Sequence, residues 1–312
     1  MFMVVFKLVI FMVVCYNICK IVLREEVACM VAKKYVIGNF KGGVGKSTCA
    51  QMFGFESAKF KELKTLIIDL DMQGNTSDVM NLTHMNFSKE EGGGEGELIE
   101  YTNTITDVLI SNVDPQDAIY KIIDNLYILP ADMSFELYDD WIKDRYPNSI
   151  DKFKYMEEKI SPLFNDFDVI YLDVPPSISI YSKSAMYIAD WAIVVLQTQV
   201  KSMRNAMQYL EYMDFFTNEF DTNLKVAGVV PFMLESGDSV DKEMYQQAQE
   251  IYGEHLIKNV VLKNARLKRY DGSGITTELT KKGKLKQWDK KCHELFINIL
   301  DELEEHEHWY EG

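Results

Sequence analysis

The chain has 312 residues, 47% of them hydrophobic, enough to bury a full core, so disorder is not its default state. Its net charge of −15, taken as an average, argues against a polyanionic partner. Five cysteines with neither a C-x-x-C pair nor a zinc spacing exclude a disulfide scaffold and a zinc module, and fit a reducing cytosol.

Residues 1–29 are apolar, but their longest unbroken apolar run, Leu8 to Tyr16, is nine residues. A spanning helix needs about twenty. A basic leader and a small-residue cleavage site, the marks of a signal peptide, are both missing. Met30 opens the stretch expected of a first strand, and Arg24-Glu25-Glu26-Val27 is encodable by purine-rich codons resembling a bacterial ribosome-binding site. The expectation is an N-terminal extension over 1–29 upstream of a true start at Met30, with a weak membrane anchor as the alternative.

Lys34 to Asn39 reads as a central strand that ends at a glycine-rich loop, Lys41-Gly42-Gly43-Val44-Gly45-Lys46-Ser47-Thr48. The ordinary phosphate-binding pattern is G-x-x-x-x-G-K-[ST]. Phe40 occupies the place of its first glycine, and the loop instead opens on a second lysine, Lys41. Glycines at 42, 43 and 45 let the backbone close around phosphate oxygens. Lys46 is expected on the β- and γ-phosphates and the Ser47 hydroxyl on Mg²⁺. A helix over Ser47 to Lys61 would turn its N-terminus to the same phosphates.

Thr65 to Asp71 is an apolar run ending in acids, the pattern of a buried parallel strand. Residues 84–100, with Glu90-Glu91-Gly92-Gly93-Gly94-Glu95-Gly96-Glu97, read as a flexible acidic loop. Leu126 to Pro130 is a further strand. Val169 to Asp173 repeats the strand-then-acid theme before Pro175-Pro176, and Asp173 is placed like the acid that holds Mg²⁺ through water. Strands at Trp191 to Leu196, Leu224 to Val230 and Val260 to Leu262 follow, with a helix from about Val200 to Phe220. Strands alternating with helices predict a single α/β P-loop domain over 30–312, a mostly parallel twisted sheet with helices on both faces. From Leu285 to Leu303 the apolar positions fall on one helical face, a core-packing terminal helix. The glutamate-rich end beyond it, with His306 and His308, reads as a solvated tail.

Four stretches in order, Lys41 to Thr48, Asp69 to Asn75, Phe167 to Ser177 and Lys263 to Leu267, resemble the ParA/MinD family of deviant Walker ATPases. Within it the chain looks like the small ParA proteins that partition plasmids and chromosomes. Only about forty residues precede the loop, too few for the N-terminal helix-turn-helix of larger ParA proteins. The resemblance covers about 33 to 310 and implies a dimer that sandwiches two ATP molecules, Lys41 reaching the nucleotide of the partner subunit. It implies that Lys41, Lys46 and Asp71 are catalytic, Asp71 positioning the attacking water, with Asp69 either on Mg²⁺ or one partner removed from it. It further implies slow hydrolysis stimulated by a ParB-like centromere-binding protein, and a cytoplasmic, nucleoid-associated location without stable membrane association. Pro231, Phe232 and Leu262 to Asn264 would lie near the base.

The average charge conceals segregation. Between Lys258 and Lys291 stand 11 basic residues against three acids, a local charge of +8 that leaves −23 on the remainder. By the resemblance, the ATP-bound dimer binds DNA without sequence preference through this segment. Lys263 and Arg266 match the family positions best, and Lys268 and Arg269 are further candidates. A MinD-like membrane-associated positioning ATPase is the alternative reading, but it would need a basic amphipathic tail, and this tail is acidic. A nitrogenase-reductase-like enzyme would need paired cysteines, and a bacterial tyrosine kinase a C-terminal tyrosine cluster.

Overall fold

The computed structural model describes residues 31–92, 96–197, 200–234, 239–280 and 282–310. The N-terminal extension and the question of the start at Met30 lie outside them. Strands β1 (Lys33–Gly38), β2 (Thr65–Asp69), β3 (Tyr120–Ile123), β4 (Leu126–Leu129), β5 (Val169–Asp173), β6 (Trp191–Gln197), β7 (Lys225–Leu234) and β8 (Val261–Leu262) form one sheet in the order β3-β4-β2-β5-β1-β6-β7-β8. Every pairing is parallel except the β3–β4 hairpin at the edge.

Alternation explains the unbroken apolar runs. In β1, Val36 enters one core while Tyr35 and Ile37 enter the other; in β5, Ile170 and Leu172 oppose Val169 and Tyr171 in the same way. A strand buried on both faces has no polar side to show in its sequence. Helices α1 (Lys46–Lys59), α2 (Asn75–Gly92), α8 (Ala265–Ser273) and α9 (Gln287–His308) cover one face. The other face carries α3 (Glu136–Arg145), α4 (Ser149–Ile160), α5 (Ile180–Ile188), α6 (Val200–Phe220) and α7 (Ser239–Tyr252).

Three local expectations are corrected. Much of the supposed acidic loop is helix, because α2 runs to Gly92. Phe87 is buried against the core, and Asn81 exchanges hydrogen bonds with the backbone of Ile99 at 2.8 and 2.9 Å, pinning the returning chain. The end of α9 is not a solvated tail either. His306 and Glu307 are buried, and Glu307 pairs with Lys33 at 2.6 Å and accepts a hydrogen bond from Tyr35 at the start of β1. Trp288, expected on the apolar stripe of α9, is 74% exposed in its first turn.

Candidate nucleotide site

In a parallel sheet the strand ends that precede helices gather along one edge. Here that edge brings together the loop after β1, Asp69 at the end of β2 and Asp71 just past it, Asp173 at the end of β5 and Gln197 at the end of β6. Asn39 fixes the loop's entrance: its amide donates to the Val195 carbonyl at 2.6 Å, and its carbonyl oxygen accepts from the Lys41 N–H at 2.9 Å. Gly43 and Gly45 take φ of 70° and 102°, in the left-handed region. A Cβ on Gly45 would stand 2.2 Å from the ring of Phe232, whereas one on Gly43 would meet nothing within 4 Å. The loop is thus backed by β7 and open in front. Gly42 is exposed, Val44 is buried beneath, and Lys46, Ser47 and Thr48 open α1, whose first turn holds no acid. An unopposed helix N-terminus behind a glycine cradle suits phosphate.

Lys46 is buried at 6% exposure, and its ammonium donates to the Lys41 carbonyl at 3.3 Å. Burial lowers its pKa, and the charges of Asp173 and Asp71 oppose that shift. Lys41, half-buried, turns back within its own chain and donates to Gln197 Oε1 at 2.9 Å.

Asp69 and Asp173 are register partners on adjacent strands, both fully buried. Burial pushes Asp69 up to about 8, with Asp173 adding to it. Burial likewise pushes Asp173 up to about 6, against the Thr76 hydrogen bond, the neighbouring Ser47 hydroxyl and the nearby charge of Lys46. Asp69 commits both oxygens to the following turn: Oδ1 accepts from the Asp71 N–H at 3.1 Å, and Oδ2 accepts from the Ser77 N–H and hydroxyl at 2.9 and 2.8 Å. It therefore shapes the turn that presents Asp71. Asp71 is half-buried, and its carboxylate accepts from the Gln73 N–H at 3.1 Å. Asp173 differs, since its Oδ1 is buried with no hydrogen-bond partner. An orphaned carboxylate oxygen beside the Ser47 hydroxyl fits a magnesium ion or one of its waters.

Beside the loop, a cavity of about 410 Å³ is lined by Thr48, Leu262, Lys263, Asn264, Leu267 and Lys268, among others. Asn264 is among these lining residues, and its side chain also caps α8, accepting from the Arg266 N–H at 2.8 Å. Pro231 and Phe232, the other residues expected near the base, are buried in β7, where Phe232 buttresses Gly45; neither lines this cavity.

Arg266 is also corrected as a DNA contact. It is 9% exposed, its guanidinium donating to the fully buried Asp289 and, at 2.9 Å each, to Thr276 Oγ1 and Glu278 Oε1. Its charge is spent inside the protein; Lys286 first, and then Arg266, hold Glu278 down to about 2. Lys263, Lys268 and Arg269 do reach the surface. Sequence reasoning also missed a buried pair, Glu56 of α1 and His293 of α9, at 2.6 Å. Residues 237 apart carry no joint signal in one sequence.

A glycine cradle at a helix N-terminus, with a buried lysine within it and acids on neighbouring strand ends, defines a P-loop nucleoside-triphosphatase. The sequence profile of a family described as an AAA domain matches residues 32–226. The chain belongs to this family, as a ParA/MinD-type P-loop ATPase related to partition proteins. It is 21% identical over 245 residues to the sporulation initiation inhibitor protein Soj of Bacillus subtilis, covering 78% of this chain and 89% of Soj. It is 23% identical over 238 residues to the chromosome partitioning protein ParA of Myxococcus xanthus, covering 76% and 77%. Among solved structures, apo McdA of Cyanothece matches with a TM-score of 0.69 at 18% identity, over 88% of this chain and 99% of that one. A plasmid partition protein of Borrelia burgdorferi matches with a TM-score of 0.61 at 20% identity, over 87% and 97%. Among the described residues, no helix is long and apolar enough to cross a membrane.

Proposed function

We propose that this chain is a ParA-type partition ATPase, a nucleotide-controlled switch that dimerises around ATP, binds DNA without reading its sequence and drives segregation of a plasmid or chromosome. The observation that carries this reading is the second loop lysine, Lys41, standing at the mouth of a cradle whose chemistry Lys46 and Ser47 already complete. One lysine suffices to bind the phosphates; a second at the rim has a role across an interface. The relatives of partition function and a McdA complex with ATP support the same reading.

In this proposal the residues from Lys41 to Thr48 wrap the triphosphate, and Lys41 exchanges Gln197 for the nucleotide of a second copy. Asp71, on the turn that Asp69 holds, orients the attacking water. Ser47 and Asp173 would hold Mg²⁺, which when bound neutralises charge on the phosphate oxygens; a structural neighbour holds ADP and magnesium together. Leu262 and Asn264 would border the base in the cavity beside Thr48. Hydrolysis is slow alone and stimulated by a ParB-like centromere-binding protein, and the ATP-bound dimer resides on the nucleoid in the cytoplasm. The DNA surface comprises Lys263, Lys268 and Arg269, with the exposed Lys282, Lys284, Lys290 and Lys291 further along the same basic segment.

The test is a DNA-binding titration with ATP, with ADP and without nucleotide, across salt concentrations. ATP-dependent, sequence-blind binding that weakens linearly with log salt is expected. Binding that ignores the nucleotide would refute the switch.

A further inference from the structure

Asp173 is held by more than its strand. Thr76, in the first turn of α2 and fully buried, donates its hydroxyl hydrogen to Asp173 Oδ2 at 2.7 Å. The same hydroxyl oxygen accepts from the side-chain amide of Gln51 at 3.1 Å. Gln51 lies in α1, in the turn after Ser47, and is 3% exposed. A relay therefore runs Gln51 to Thr76 to Asp173, each donor pointing toward the carboxylate. It binds one oxygen, Oδ2, and leaves Oδ1 buried and without a partner.

The arrangement has a chemical cost. A carboxylate oxygen buried without a partner carries an uncompensated desolvation penalty. The Thr76 bond holds Oδ2 within the relay, and Oδ1 is the oxygen left without a partner. We propose that Thr76 and Gln51 are positioning residues for magnesium, locking the Asp173 carboxylate so that Oδ1 is presented to the metal or to a water on it. This inference rests on the reading of Asp173 as the magnesium acid. Partners one bond removed from a metal ligand set its orientation, and their loss typically costs about 10–100-fold in metal affinity.

The experiment measures binding of a fluorescent ATP analogue while Mg²⁺ is titrated, with no turnover required. Thr76→Val keeps the shape of the side chain and removes the hydroxyl. It is expected to raise the Mg²⁺ concentration for half-maximal enhancement by about 10–100-fold, with metal-free nucleotide affinity unchanged. Thr76→Ser, which retains the hydroxyl, should restore the wild-type midpoint. Gln51→Met, one link further out, should shift it in the same direction by less, and it carries the test if Thr76→Val does not fold. A wild-type midpoint in Thr76→Val overturns the proposal, as does an equal loss of nucleotide affinity with and without metal, which marks a structural role only. Asp173→Asn separates the two levels. If it also leaves the Mg²⁺ midpoint unmoved, the magnesium reading of Asp173 fails; if it moves the midpoint and Thr76→Val does not, only the positioning role fails.

Discussion

The nucleotide edge and the basic segment are both marked by charge in the sequence, yet the fold treats their charges in opposite ways. At the nucleotide edge the motif residues are drawn inward: Lys46, Asp69 and Asp173 are buried, each tied to named partners. In the basic segment most of the charge stays outside, on Lys263, Lys268, Arg269 and the lysines of 282–291. Among the described residues its exception is Arg266, one of the two whose motif positions matched best. A buried charge acts through geometry, an exposed one through its field and its number. Substitution should therefore be severe and specific at the first site and graded at the second.

The contrast breaks most sharply at Arg266. Arg266→Met leaves Asp289 buried with its strongest partner gone, a loss of about 3–5 kcal/mol of stability, read by urea unfolding. Stability near wild type would mean that the arginine is a surface cation after all. At the nucleotide edge, Lys46→Ala removes a buried cation facing the triphosphate. We expect nucleotide binding weakened by about 2–5 kcal/mol with folding retained, measured by calorimetric titration. Lys268→Glu with Arg269→Glu should change stability by no more than about 0.5 kcal/mol. The salt dependence of DNA binding should meanwhile become shallower by about 0.9 in log–log slope for each DNA phosphate that is no longer neutralised. An unchanged slope would move the DNA surface elsewhere.

The smallest effect sharpens the comparison from inside the protein. Glu56 keeps its proton up to about 7 because burial outweighs the pull of His293, while its ordinary value is 4.5. His293 is itself raised above 6.5, chiefly by its bond to Glu56 against the cost of burial. In both groups the folded chain binds protons more tightly than the unfolded one, so their stabilisation is fullest on the acid side. It is lost as pH rises from about 4.5 through 7 and past the folded value of His293. Glu56→Gln, which stays neutral throughout, should flatten the fall in urea midpoint over that window. An identical pH profile in wild type and variant would show that the pair does not titrate with folding.

The glycine loop and the strand-then-acid pattern were legible because each is local: the spacing itself encodes the turn, and an apolar run encodes a strand buried on both faces. Continuous helices and the sheet's central strands followed from the same periodicities. What escaped depended on contacts between distant segments. Arg266 looked like a surface cation until Asp289 and Glu278, 23 and 12 residues on, folded around it. The acidic stretch from residue 84 read as a loop and the end of α9 as solvated, because composition does not reveal that Asn81 grips Ile99 or that Glu307 meets Lys33. Phe232 had been given to the base, because order in the chain does not say on which side of a strand a ring will lie.

That ring has a consequence for how the protein can vary. Phe232 fills the space a Cβ at position 45 would need, and the backbone there adopts φ of 102°, which L side chains rarely tolerate. Position 45 is thus closed twice over, by sterics that a smaller residue at 232 would relieve and by a torsion that it would not. The constraint between the two positions runs one way: Phe232 can shrink, leaving a void behind the loop, but Gly45 cannot grow.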